Sequence, residues 1–184
     1  MQQNTIIAKV ENKPGVLNRI ASLFRRRNFN IESLNVGRTE KPDISRMTIV
    51  LANPDIDVRT VEANLYQLVN VIDVQDVTNQ PSVVRDLALI KVSSTPEKRA
   101  EVANLASIFR AKIVDVAPDS VIIEISGTED KIESLVELLR PMGITEMVRT
   151  GQVAMLRGTS TGIRHTPGAN GDPQGDNGNE PETT

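Results

Sequence analysis

The stretch NKPGVLNRIASLFRRRNFNIESLNV, Asn12 to Val36, reads as a turn, an amphipathic helix and an extended strand. Pro14 suits the first turn of a helix, where its missing N–H leaves nothing unpaired. Val16, Leu17, Ile20 and Phe24 then recur at helical spacing and form an apolar face opposite Asn18, Arg19, Ser22 and Arg26. Phe29–Arg38 is extended. Its apolar residues alternate through Phe29 and Ile31, then slip to Leu34 and Val36, which predicts a β-bulge.

The pattern continues on both sides. Thr5–Val10 alternates through Ile6, Ala8 and Val10, and Ile44–Leu51 through Met47, Ile49 and Leu51, so both read as strands. Asp57 can cap a helix carrying Val58, Val61, Leu65 and Leu68, and Val71–Val77 closes the order βαββαβ. The second half repeats it. Leu87–Val92 is a strand; Thr95, Pro96 and Glu97 read as N-cap, first-turn proline and helix-start acid, followed by Val102, Leu105, Ala106 and Phe109 at helical spacing. Strands at Lys112–Val116 and Ser120–Ile125, a helix capped by Thr128 and a last strand over Ile144–Leu156 complete it. ASLFR at Ala21–Arg25 recurs as ASIFR at Ala106–Arg110. The predicted class is therefore α+β, with two ferredoxin-like βαββαβ domains at residues 1–78 and 86–157, joined by a connector at 79–85 within TNQPSVVR.

Residues 158–184 differ in kind. They hold six of the eleven glycines, and Ile163 and Ala169 are their only hydrophobic residues, so this tail is expected to be disordered. Asp172, Asp176, Glu180 and Glu182 there face only Arg164, and the rest of the chain balances at 20 basic and 20 acidic residues. A neutral body argues against nucleic-acid binding. Aromatics are 2% of the 184 residues, which leaves no stacking platform for bases, and there is no cysteine for a disulfide, thiolate or metal site. No signal-peptide pattern and no membrane-length apolar run is present, so a cytoplasmic protein with no membrane partner is expected.

Catalytic groups are scarce. The single histidine, His165, falls in the tail, which leaves no Ser-His-Asp set and no histidine cluster for a metal. Acidic pairs such as Glu129–Asp130 start helices, where they complement the dipole, and Arg25–Arg27 end one. No catalytic residue and no metal ligand is assigned. The two ends of the opening stretch remain. The first N–H groups of a helix are unpaired and partially positive, so they suit a carboxylate, and Gly15 without a side chain would let it approach. Asn12 and Asn30 each offer donors and an acceptor. Together these suit a free amino acid, although NKPG taken alone is more often strand-to-helix punctuation and Asn28 and Asn30 can be simple turn residues.

The runs ENKPGVLNRIASLF, NFNIESLNVG and DISRMTIVL, with IFRAKIVDVAP in the second half, resemble the small, regulatory subunit of acetolactate synthase (acetohydroxyacid synthase) over roughly residues 5–156. The resemblance implies an N-terminal ACT domain that binds a branched-chain amino acid, typically valine, at a homodimer interface. It implies a large catalytic partner carrying thiamine diphosphate, Mg²⁺ and FAD, with no cofactor in this chain. By the same resemblance, Asn12, Pro14, Gly15 and Asn30 match the ligand motif, with Val16, Leu17 and Ile31 beside them. The function it implies is activation and feedback inhibition of that partner in branched-chain amino acid biosynthesis. The rival reading is a free-standing amino-acid-responsive adaptor or transcriptional co-regulator. A helix from Gly15 to Arg27 would be about 20 Å long, at about 1.5 Å per residue, so one amino acid cannot touch both of its ends. A twofold dimer would bring the two ends together from different chains, and would do so twice.

Overall fold

The computed structural model describes residues 3–53 and 56–158. The expected disorder of the tail, and His165 with it, lies outside the described residues. In the first half β1 (Asn4–Glu11), α1 (Val16–Arg26), β2 (Ile31–Arg38), β3 (Ile44–Leu51), α2 (Val58–Tyr66) and β4 (Val71–Asp76) form an antiparallel sheet of order β2-β3-β1-β4. In the second half β5 (Ser82–Ser93), α3 (Arg99–Ile108), β6 (Lys112–Val116), β7 (Ser120–Gly127), α4 (Glu129–Leu139) and β8 (Ile144–Arg149) repeat it as β6-β7-β5-β8. Both halves are thus ferredoxin-like, as the repeat predicts.

The duplication extends to the irregularities. Register shifts between Ile31 and Ser33 where β2 meets β3, which is the bulge the hydrophobic slip predicts, and likewise between Ile113 and Asp115 where β6 meets β7. Second shifts fall at Lys9/Val10 and at Lys91/Val92, on the equivalent central strands. After α1 and after α3 the chain turns through a left-handed residue, Asn28 at φ 56° and Arg110 at φ 52°. In each turn the next N–H reaches back five residues, Phe29 to the Phe24 carbonyl and Ala111 to that of Ala106. Asn28 is therefore a helix-stop residue.

Each helix pair covers one face of its own sheet. Ile6, Ala8, Val10, Met47, Ile49 and Leu51 meet Val16, Ile20, Leu23 and Phe24 of α1 and Val61 and Leu65 of α2. Phe24 packs edge-on against Phe29 at 5.8 Å between ring centres, so the residue that ends the helical face also fixes the exit of the chain toward β2. Asp57 caps α2 by accepting from the Arg59 N–H at 3.1 Å, as expected.

Several expectations of the second half are corrected. Thr128 occupies the N-cap position of α4, but its side chain makes no capping hydrogen bond. Thr95-Pro96-Glu97 forms a turn ahead of the helix: the Thr95 carbonyl accepts from both Lys98 and Arg99, and α3 begins at Arg99. The last strand is not continuous. It breaks at Thr150–Gln152 into β8 and β9 (Val153–Leu156). The stretch expected as a connector is strand from Ser82 onward, because Ser82–Arg85 pair with Val153–Leu156. This ribbon covers the face of the first sheet opposite its helices, where Ile7, Val77 and Ala154 are buried together with Val84 and Leu156 against them. Arg46 on β3 donates to the Ala154 carbonyl at 2.6 Å across the same seam. The two halves therefore form one packed body through the ribbon.

Candidate functional site

The loop from β1 to α1 is built by short-range bonds. The Asn12 N–H donates to the Asp43 carbonyl at 2.7 Å, and its side-chain amide donates to the Pro42 carbonyl at 3.0 Å, which pins the loop to the β2–β3 turn. The Lys13 ammonium pairs with Glu11 at 3.0 Å. The amide of Asn70 and then Lys13 hold the Glu11 carboxyl below its ordinary value. Pro14 lies in the turn, and Gly15 occupies the N-cap of α1 at φ 82°, a left-handed conformation that a side chain disfavours. Beyond it the space is open, with no atom within 4 Å of where a Cβ would stand.

The start of α1 is bare. Among the described residues no side chain caps it, and its first turn contains no acidic residue. The Val16 N–H turns back to the Lys13 carbonyl at 3.4 Å, and the N–H groups that follow it, with the positive end of the dipole, suit an outside anion. Leu17 projects outward, 48% exposed, whereas the Val16 side chain is buried in the first-half core. At the other end of the helix, Asn30 is exposed, its carbonyl accepts from the Ala52 N–H at 3.1 Å, and Ile31 is half-buried against the core.

The structure thus places Asn12, Pro14, Gly15 and Leu17 together at one end of α1, and Asn30 and Ile31 together beyond the other. Eleven helical residues lie between, about 16 Å at about 1.5 Å per residue. A cavity at the Asn30 end of the helix is lined by Leu23, Arg26, Arg27 and Gln67, so the arginine run borders a concave surface. Among the described residues no group of three or more His, Cys, Asp or Glu side chains could hold a metal ion, and no helix is long and apolar enough to cross a membrane.

Residues that, Glu129 apart, the sequence does not single out meet at the junction of the halves. A cavity of about 180 Å³ is lined by Glu32 and Ser33 of β2 and by Asp86, Glu129, Arg149 and Gln152 of the second half. Asp86 is 6% exposed, and Arg149 bridges it to Glu133 at 3.3 Å on each side. Among the described residues the Asp86 Oδ1 has no hydrogen-bond partner. Burial therefore pushes the Asp86 carboxyl above its ordinary value, and Arg149 only partly offsets this. A raised folded-state value means that ionising Asp86 disfavours the folded state. Stability from this group is lost as pH rises from the unfolded carboxyl range through the folded value. Asp86→Asn should remove that dependence. Urea midpoints for both proteins, from about pH 3.5 to about pH 7, should show the wild-type advantage shrinking as pH rises, and a constant difference would contradict it. No local pattern marks this cluster, because its members are separated by up to 120 positions.

Comparison with known proteins covers both halves. Residues 6–73 match the family described as the AHAS small subunit-like ACT domain, and residues 85–158 match the family described as the small subunit of acetolactate synthase. The probable acetolactate synthase small subunit of Archaeoglobus fulgidus is 54% identical over 85% of this chain and 98% of its own length. The acetolactate synthase small subunit of Bacillus subtilis is 46% identical over 84% of this chain and 90% of its own. The crystal structure of the acetolactate synthase small subunit from Thermotoga maritima superposes with a TM-score of 0.80 at 39% identity, covering 86% of this chain and 99% of that one.

Proposed function

Because this chain belongs to the family of acetolactate synthase small subunits, we propose that it is a non-catalytic regulator of a large catalytic subunit and answers to a branched-chain amino acid. Membership in the family supports the partnership. The bare start of α1 carries the effector site: a left-handed glycine with open space beside it, an uncapped helix and no internal acid. An amino-acid carboxylate would sit on the first N–H groups, with Gly15 leaving room and the Asn12 loop at its side. Valine is the effector we favour, on the resemblance of the ENKPGVL and NFNIESL runs to the family.

The remaining contacts come from a second copy. β2 is an edge strand, so a twofold-related β2 can extend the sheet through its unpaired backbone. That arrangement sets the two α1 helices side by side and reversed. It brings Asn30 and Ile31 of one chain to Gly15 of the other, and the exposed Leu17 gains apolar company. Filling the site would shift the dimer between forms that support the catalytic partner differently, and by linkage the partner would shift effector affinity by the same factor. The partner supplies thiamine diphosphate, Mg²⁺ and FAD.

Affinity capture of the tagged chain from its own cells distinguishes this reading from a free-standing adaptor. The captured protein should be a thiamine-diphosphate enzyme that forms acetolactate. Recovery of a transcription component with no such enzyme would contradict it.

A further inference from the structure

We infer that Ser33 and Gly151 are positioning residues through which the second half of the chain holds the effector strand and senses whether the amino-acid site is filled. The inference rests on the effector site proposed above.

β2 leaves the end of α1 through Asn30 and Ile31, passes the bulge and reaches Ser33. The Asn30 carbonyl ties the entry of the strand to the Ala52 N–H at 3.1 Å, and the bulge interrupts the ladder between that bond and Ser33. Ser33, the first residue beyond it, is held through its side chain by the second half. Its hydroxyl oxygen accepts from the Gln152 N–H at 3.1 Å. The neighbouring Gly151 backbone lies so close that a Cβ would stand 2.5 Å from Ser33 Oγ and 3.1 Å from the carbonyl carbon and oxygen of Leu34. An added Cβ would push the Ser33 hydroxyl off its Gln152 bond and press on the Leu34 carbonyl.

The loop that makes this contact is anchored to the second half. The Thr150 N–H donates to the Leu87 carbonyl at 3.0 Å, and its hydroxyl accepts from the Leu87 N–H at 3.1 Å. Gln152 Nε2 reaches Glu129 at the start of α4 at 3.4 Å. Thr150–Gln152 is also the segment that breaks the last strand in two, with β8 and β9 both paired to β5 on either side of it. Thr150 stays bonded to β5, and the break allows Gly151 and Gln152 to seat on β2. Any movement of the Asn30 end that a ligand imposes three residues before Ser33 must either strain this seat or carry the loop with it.

Full-length protein, alone and assembled with its catalytic partner, tests the inference by calorimetric titration with valine, leucine and isoleucine. The ratio of effector affinity in the assembly to that in the isolated chain measures the coupling, which is about 5- to 150-fold in allosteric systems. Ser33→Ala, which removes the acceptor, and Gly151→Ala, which forces the loop from β2, should each bring this ratio to within about twofold of one. Val102→Ala truncates a buried side chain of the second-half core away from the loop. It should lower the thermal midpoint and keep the wild-type ratio, which separates a positioning role from general weakening. Wild-type coupling in Ser33→Ala and in any folded Gly151→Ala, or equal loss in Val102→Ala, overturns the inference while leaving the effector site intact. A wild-type chain that binds none of the three amino acids overturns the effector site and this inference with it.

Discussion

Gly15→Asp is expected to abolish the amino-acid response, with no inhibition at effector concentrations that saturate the wild type. Two effects combine in that variant. A carboxylate at residue 15 would face the effector carboxylate; at about 4 Å and an effective dielectric of about 20, the repulsion is about 4 kcal/mol, or on the order of a thousandfold in affinity. The backbone also contributes, since Gly15 sits at φ 82° and a side chain there costs about 1–2 kcal/mol of stability. Gly15→Asn separates the two. It carries nearly the same shape and the same backbone strain without the charge. It should lose thermal stability as the aspartate does while keeping a measurable, weaker response. Equal loss of response in both variants would mean that backbone conformation, not the carboxylate, governs the site.

The second large effect concerns catalysis. The isolated chain, supplied with pyruvate, thiamine diphosphate, Mg²⁺ and FAD, should form no acetolactate. The large subunit with the same additions should gain activity when the chain is added, and valine should then withdraw part of that gain. The sequence motivates the first part: its lone histidine is His165, it has no cysteine, and its paired acids start helices. Product formed by the chain alone, after the large subunit has been shown absent, contradicts the regulatory reading.

Much of the fold is legible because it is locally encoded. Alternation marks β1 and β3, the cap at Asp57 marks α2, and the slip from Ile31 to Leu34 marks a bulge that the strand register shows. The repeat of ASLFR as ASIFR holds to the level of matching left-handed turns. What the sequence conceals is long-range. Ser82–Arg85 become strand only because Val153–Leu156 pair with them, and the break at Thr150–Gln152 exists because that loop seats on Ser33. Thr95 and Thr128 are good capping residues, yet α3 starts four residues after Thr95, whose hydroxyl bonds the Glu97 carboxylate, and the Thr128 side chain makes no capping hydrogen bond. The candidate site divides in the same way. Asn12, Gly15 and Asn30 stand out because a helix start and a helix exit have local signatures. Asp86, Arg149, Ser33 and Gly151 have none, because their meaning comes from the packing of one half on the other.

The claim most exposed to test is that one amino-acid site is shared between two chains. Gly15→Asp damages one side of such a site. Asn30→Ala damages the other, by loss of a hydrogen bond to a charged group of about 1.5–3 kcal/mol, about tenfold or more in affinity. Each homodimer carries its defect in both sites. In a purified heterodimer of the two variants, one site collects both defects and its twin collects neither. Calorimetry on that heterodimer should find one amino acid bound per dimer with wild-type affinity, whereas no wild-type-affinity binding would place each site within a single chain and contradict the account.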